Sequence, residues 1–372
     1  MKPRLVLGIM SGTSIDGVDY ALCEVQRAAV RLAQHWSRAF PKPLQRRLHT
    51  AAANECAAHE LAQLHHDLGR LYAQQAAQLR VRCELVGLHG QTIFHHPDRR
   101  APATLQIGEP AYLAEALRVP VVSNFRVADL AAGGQGAPLA TLFHQIVFAR
   151  RGQQVCVNNL GGISNVTSLD WRTGRAPKVI AFDTGPANVL IDLAMREFTA
   201  GQLSCDRNGA WAKRGTACPK LLGRWLGHTF FAQPPPKSTG REMFGEKFWR
   251  AEQPFIHALR LSPFDVIATL TEFTAQSLAL GYLQPLRLAP DTLVLCGGGV
   301  KNPVLRARIG AALRGLNPAV QMATSDEYGW PASAIEPAAF ALLAYYRWNK
   351  WPANLPATTG AKRAVLLGQI TE

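Results

Sequence analysis

No apolar run in the 372 residues approaches the roughly 18 needed to cross a bilayer, and the stretch behind Lys2 and Arg4 is too short for a signal peptide. A cytoplasmic protein with no membrane partner is the expectation. The seven cysteines (23, 56, 83, 156, 205, 218, 296) form no C-x-x-C pair, and three of them sit inside apolar strand-like runs. Reduced thiols are therefore expected, not disulfides or a zinc centre. His65-His66 and His95-His96 lack the H-E-x-x-H spacing of a zinc helix. Neither a Walker A loop nor G-x-G-x-x-G occurs, which removes support for P-loop and Rossmann folds. The net charge of +14 is dispersed over single residues and pairs such as Arg46-Arg47, Arg99-Arg100 and Arg150-Arg151, with no basic tract interleaved with aromatics. No nucleic-acid partner is expected, and the charge is read as solubility plus attraction for small anions.

What the chain does have is glycine turns behind strands. Residues 5–25 are two apolar runs joined by Gly12-Thr13-Ser14-Ile15-Asp16-Gly17-Val18-Asp19. Glycines let backbone N–H groups converge on an anion, Thr13 and Ser14 add hydroxyls, and Asp16 and Asp19 are oxygen donors suited to Mg²⁺. A second strand, turn and strand follows about 150 residues later, around Asn159, Gly161 and Gly162. Either copy alone reads equally well as an ordinary β-turn. A third cluster, Gly297-Gly298-Gly299, follows the apolar run 292–296 and leads through Asn302-Pro303 into a helical pattern, so a flat base or ribose can lie on bare backbone. Two phosphate turns followed by an adenosine-type turn is the order used by actin-like ATPases and sugar kinases.

With 48% hydrophobic content the chain can bury large cores, and its length favours two domains, with three as the alternative. Strands and helices alternate as in an α/β protein. Helical patterns are expected over 55–82, from Pro138 to about 149, from Pro186 to Phe198 and from Pro263 to about 284, with strands at 85–88, 119–123 and 179–182. Polar groups cluster at strand ends, where α/β proteins bind ligands. One cluster is His89, Gly90, Gln91 and Thr92. Another is Asn124, Arg126 and Asp129 with Gly134, Gly136 and Pro138, suited to a hydroxylated or acylamino ligand carrying an anionic group, although a flexible connector also explains the glycines. Asp183, between a strand and a helix start, is either a helix N-cap or a general base.

Together these segments, with 105–110, 182–192, 206–215, 236–240, 325–329, 340–344, 354–356 and 359–361, closely resemble the anhydro-N-acetylmuramic acid kinase family of the sugar kinase and actin-like ATPase superfamily. The resemblance spans nearly the whole chain. It implies an α/β, two-domain, ribonuclease H-like fold with an interdomain nucleotide cleft, divided into 1–137 with the tail 360–372, and 138–359. It implies ATP and Mg²⁺ as cofactors, with 1,6-anhydro-N-acetylmuramic acid as substrate and N-acetylmuramic acid 6-phosphate and ADP as products. A homodimer stays open. By the same resemblance Asp183 is the base that activates water, Glu327 is a second acid lining the sugar site, and Gly185 belongs to the nucleotide set. Ala187 stands where the family usually has glycine, and Asn208 where it often has aspartate. An ordinary hexose kinase, a non-catalytic actin-like ATPase and a glycosidase using Asp183 with Glu327 remain as alternatives.

Overall fold

The computed structural model describes residues 2–97, 100–286 and 290–372. Arg99 of the Arg99-Arg100 pair lies outside the described residues. The described residues form twelve strands: β1 (Arg4–Ser11), β2 (Gly17–Gln26), β3 (Ala29–Ala39), β4 (Leu85–His96), β5 (Ala103–Ile107), β6 (Val121–Ser123), β7 (Gln154–Leu160), β8 (Ile163–Asp170), β9 (Lys178–Pro186), β10 (Thr292–Cys296), β11 (Gln321–Thr324) and β12 (Gln369–Thr371).

They build two sheets of one topology. The first runs β12-β6-β4-β1-β2-β3, with β5 paired to β4, and the second runs β11-β10-β7-β8-β9. In both, the first strand of the unit pairs antiparallel with the second and parallel with a later strand beyond a helical crossover. Three antiparallel strands followed by two parallel ones, in the order 3-2-1-4-5, is the ribonuclease H-like arrangement, and here it occurs twice. The two glycine hairpins seen in the sequence are its first turn in each copy.

Each copy has its own core. In the first, Leu7, Ile9, Tyr20, Val86 and Leu88 pack against Leu64, Leu68 and Tyr72 from the helix Ala58–Gln78. In the second, one face packs Cys156, Leu160, Leu293 and Leu295 against Leu278, Tyr282 and Ile309, while an aromatic cluster gathers Trp225, Phe230, Phe231, Phe244 and Phe273. The long helix Pro263–Leu286 begins where expected: Ser262 Oγ accepts from the Asp265 N–H at 3.2 Å, and Asp265 Oδ2 accepts from the Ser262 N–H at 3.3 Å. That reciprocal pair satisfies two orphan donors of the first turn. No described helix is long and apolar enough to cross a membrane. None of the seven cysteines is in a disulfide, and burial pushes the thiols of Cys23 and Cys156 up to about 12, which leaves them inert.

Two expectations need correction. The compact units are residues 1–147 with 329–372, and 148–328, not 1–137 with 360–372, and 138–359. The reason is the helix Ala332–Trp348, which packs on β1, β2 and β4 and so returns the chain to the first unit much earlier than the tail. Gly8 and Gly87, paired across β1 and β4, leave the room for it, since a Cβ on either would lie 1.8 Å from the Pro337 carbonyl oxygen or 2.2 Å from that of Phe340. Pro186 does not open a helix. It ends β9, opposite Ile163, and the helix runs Asn188–Phe198 from Ala187, whose φ of −109° requires no glycine.

Candidate functional site

In the first unit the turn between β1 and β2 closes with the Ile15 N–H donating to the Gly12 carbonyl at 3.2 Å. Ile15 holds φ at 56°, a region where a β-branched residue is strained, and its carbonyl is fixed by Gln45 Nε2 at 2.8 Å. Asp16 accepts from Ser14 Oγ at 2.8 Å and is exposed. Asp19, half-buried, accepts from Ser37 Oγ, and burial, offset by that bond and reinforced by the charge of Asp16, raises its proton affinity. Gly17 and Val18 belong to the sheet instead: a Cβ on Gly17 would meet the Arg38 carbonyl at 2.3 Å, and Val18 is core. The turn outside the sheet is thus residues 12–16.

Five of the polar strand-end residues also lock the first unit together. Gln91 is fully buried and donates to the Gly12 carbonyl at 3.1 Å, tying the β1–β2 turn to β4, while its Oε1 has no partner among the described residues. His89 donates from Nδ1 to the Gly90 carbonyl at 2.7 Å and accepts at Nε2 from Arg126 Nη2 at 2.9 Å. Burial and the Arg126 charge hold its proton affinity well below the usual histidine range, so it is a fixed neutral acceptor. Arg126 also donates to the Gly136 carbonyl at 2.7 Å; it keeps its charge at neutral pH, although burial lowers it to about 10, and it has further N–H donors to offer a ligand. Thr92 accepts from Gln106 at 3.3 Å, and Asn124, at φ 54°, donates to Gln369 at 3.3 Å.

Asp129 is spent inside the protein. Its Oδ2 accepts from the Gly136 N–H at 2.8 Å, and its Oδ1 from Asn354 Nδ2 and Thr359 Oγ1, both at 2.7 Å. A Cβ on Gly134 would lie 2.2 Å from that carboxylate, which accounts for the glycine. The loop ending at the cis Ala137-Pro138 bond is thereby organised around a buried side chain held by three donors, and is no flexible connector. Asp129→Ala is expected to destabilise the protein by about 3–5 kcal/mol, because three buried donors lose their acceptor. Denaturant unfolding checks this; normal stability with only a weakened sugar KM would return Asp129 to the ligand-binding set.

In the second unit the turn 161–162 is stapled to a helix start. Asn188 Nδ2 donates to the carbonyls of Leu160 at 3.0 Å and Gly161 at 2.7 Å. Because the peptide units are planar and trans, the N–H groups of Gly161 and Gly162 point the opposite way, as an anion cradle needs. The three glycines at 297–299 play different parts. A Cβ on Gly297 would meet Asn159 Oδ1 at 2.2 Å and one on Gly299 would meet Leu160 at 2.8 Å, whereas Gly298 faces open space. Gly297 and Gly299 bring this turn against the end of β7, and Gly298 gives the bare surface. Asn302 is a cap: its Oδ1 accepts from the N–H groups of Val304 and Leu305, both at 3.1 Å. Gly185, at φ 134°, makes way for Phe231.

Asp183 lies within β9 at a bulge, where Asn165 pairs with Asp183 and Ser164 with Gly185, leaving Thr184 as the extra residue. Bulges re-aim side chains. The Asp183 N–H donates to the Lys237 carbonyl at 3.0 Å, and its Oδ2 accepts from the Thr239 N–H at 2.8 Å, so it caps no helix. Burial raises its carboxyl to about 6, the Thr239 N–H pulls it down, and Glu242 adds to the rise. Glu327 is occupied locally. Its Oε1 accepts from Thr324 N at 2.9 Å and Oγ1 at 3.0 Å, which holds the carboxyl below its usual range and closes an exposed turn.

Glu336, which the sequence reading passes over, is the other acid of interest. It reaches solvent, yet protein surrounds it closely enough for desolvation to raise its proton affinity, with Arg126 opposing and Asp19 adding to the rise. The signal that could have found it is a single charge in the otherwise apolar middle of the helix Ala332–Trp348.

Two ribonuclease H-like copies, each opening on a Gly/hydroxyl hairpin, with a triple-glycine turn in the second, are the architecture of the sugar kinase and actin-like ATPase class. The family model described as anhydro-N-acetylmuramic acid kinase matches residues 4–372, and the chain belongs to that family. Relatives bearing that name include one from Gloeobacter violaceus, 43% identical over 385 residues and covering 100% of this chain and 99% of its own, and one from Microcystis aeruginosa, 40% identical over 378 residues and covering 98% and 99%. Among solved structures, the (R)-2-hydroxyglutaryl-CoA dehydratase component A of Acidaminococcus fermentans aligns over 93% of this chain and 99% of its own at 12% identity and a TM-score of 0.46, too low to add to the topology. As a member of a kinase family, the chain is an ATP-using enzyme.

Proposed function

We propose that this chain opens the 1,6-anhydro ring of 1,6-anhydro-N-acetylmuramic acid with water and phosphorylates O6 with ATP. The products are N-acetylmuramic acid 6-phosphate and ADP, in cytoplasmic recycling of peptidoglycan. Family membership supports the substrate, and the observation that carries the chemistry is Asp183, an isolated carboxyl at a strand bulge, raised to about 6 and gripped on one oxygen. A base with that proton affinity is ionised at neutral pH and matched to proton transfer. Asp183 takes a proton from the water attacking C1; the C1–O6 bond breaks, O6 keeps the electron pair, and it displaces ADP from the γ-phosphate. Backbone N–H groups of a glycine turn, such as those of Gly161 and Gly162, neutralise the phosphates.

Arg126 and Glu336 are the polar pair we assign to the sugar, with His89 fixing the guanidinium. This adds Glu336 to Glu327, the second acid that the resemblance implies, whose Oε1 is held by Thr324. Mg²⁺ is bound by one or two carboxylates with phosphate oxygens and waters, and Asp16 with Asp19, close enough for the charge of Asp16 to raise the proton affinity of Asp19, fit that mode; no group of three metal-binding side chains occurs among the described residues. The ion, when bound, supplies charge neutralisation at the phosphates. Reaction in ¹⁸O-labelled water is expected to place the label on C1 of the product and none in the phosphate. Label in phosphate would mean ATP hydrolysis, and no label in either would mean an ordinary hexose kinase.

A further inference from the structure

Lys237 is 6% exposed and has no carboxylate partner among the described residues, an expensive place for an ammonium. It lies behind Pro234-Pro235-Pro236, and its Nζ donates back to the carbonyls of Phe230 at 3.2 Å and Phe231 at 3.4 Å. The same nitrogen sits 4.6 Å from the centre of the Phe230 ring. Both carbonyls belong to the short turn Thr229–Ala232, whose phenylalanines are anchored in the aromatic core. The ammonium therefore clips the chain at 237 to the chain at 230–231 across the proline run. Immediately beyond the clip come the two bonds to Asp183: the Lys237 carbonyl takes the Asp183 backbone N–H, and the Thr239 N–H gives to its carboxylate.

We propose that Lys237 is the positioning residue of the base, holding the segment 237–239 so that its carbonyl and the Thr239 N–H fix Asp183 by both backbone and carboxylate. The inference rests on the assignment of Asp183 as base. Lys237 touches no reacting atom. It acts through the strap, and the strap sets where the free carboxylate oxygen points and how readily it takes a proton. The Thr239 N–H bonds the ionised form, so losing it raises the proton affinity of Asp183; Glu242, the charged side chain that acts on Asp183, pushes the same way and remains.

The test is Lys237→Met, which keeps the stem and deletes the ammonium, with the pH profile of kcat/KM for the anhydrosugar as readout. Expected are a fall in kcat of about tenfold or more and an upward move of the acidic limb by about one pH unit, the size set by one hydrogen bond to a charged group. The KM for ATP stays within about twofold, and Lys237→Arg, which keeps a cation for the two carbonyls, recovers most of kcat. An unmoved limb, or one that moves down, in folded enzyme overturns the proposal, since a purely structural lysine lowers stability without changing the basicity of Asp183. Should Lys237→Met fail to fold, Thr239→Pro deletes the N–H and leaves the clip; it too must move the limb up, and an unmoved limb overturns the proposal. Asp183→Asn is run beside them. Normal turnover there defeats the base assignment itself, whereas a dead Asp183→Asn with an unaffected Lys237→Met defeats the positioning role alone.

Discussion

Asp183→Asn lowers kcat by about 10²–10⁴-fold and leaves the fold and the affinity for ATP intact. Asparagine is nearly isosteric, and its amide oxygen still accepts from the Thr239 N–H, so the strap over β9 has no reason to move. What disappears is the group that takes the proton from water. The wild-type rate falls as pH drops through about 6, where the base becomes protonated, and that limb is absent from whatever activity the variant retains.

Stability gives an independent check, with its own sign. The folded-state proton affinity of Asp183 is raised above its ordinary value by burial, so ionising it opposes folding: the penalty is absent at pH values below its unfolded pKa and is fully present above about 6. Asp183→Asn removes the penalty, and the variant is expected to be at least as stable as wild type at pH 7–8, with the difference shrinking as pH falls toward 4. Thermal unfolding across that range measures it. A variant less stable at pH 8 than wild type would mark Asp183 as a structural acid, and near-normal turnover would sink the base assignment.

Where glycine interrupts apolar periodicity, sequence alone reaches far. The two hairpins, the triple-glycine turn and the Ser262/Asp265 helix start lie where local chemistry puts them, because each is decided within a few residues. Long-range choices are less legible. Asp129 and Arg126 look alike as polar residues of one loop, but whether an acceptor is spent depends on Asn354 and Thr359, more than two hundred residues away. Resemblance points to Glu327, which closes its own turn, whereas Glu336 acquires its environment only when its helix reaches the first sheet. Pro186 misleads for a related reason: a bulge at Thr184 lengthens β9, and a bulge has no local signature in Phe182-Asp183-Thr184-Gly185.

Gly8→Ala and Gly87→Ala each place one methyl where the helix Ala332–Trp348 already is, and both are expected to destabilise the first unit by about 3 kcal/mol or more, at the upper end of overpacking effects. The contact would be 1.8 Å to the Pro337 carbonyl oxygen in one case and 2.2 Å to the Phe340 carbonyl oxygen in the other, and neither is a flexible side chain that can swing aside. Relief requires the helix to lift from the sheet by about an ångström. That helix carries Glu336 and also Phe340, whose ring lies 4.5 Å from the His89 ring that fixes Arg126, so the groups proposed to hold the sugar move with it. Loss of activity should therefore exceed what the unfolded fraction explains, with the KM for the anhydrosugar rising more than the KM for ATP. Because Gly8 and Gly87 are paired across β1 and β4, one lifting of the helix relieves both methyls, and the double variant is expected to be less destabilised than the sum of the singles. Additive losses of stability, or single variants with wild-type unfolding curves and unchanged sugar KM, would show that the helix does not depend on this glycine pair for its seat.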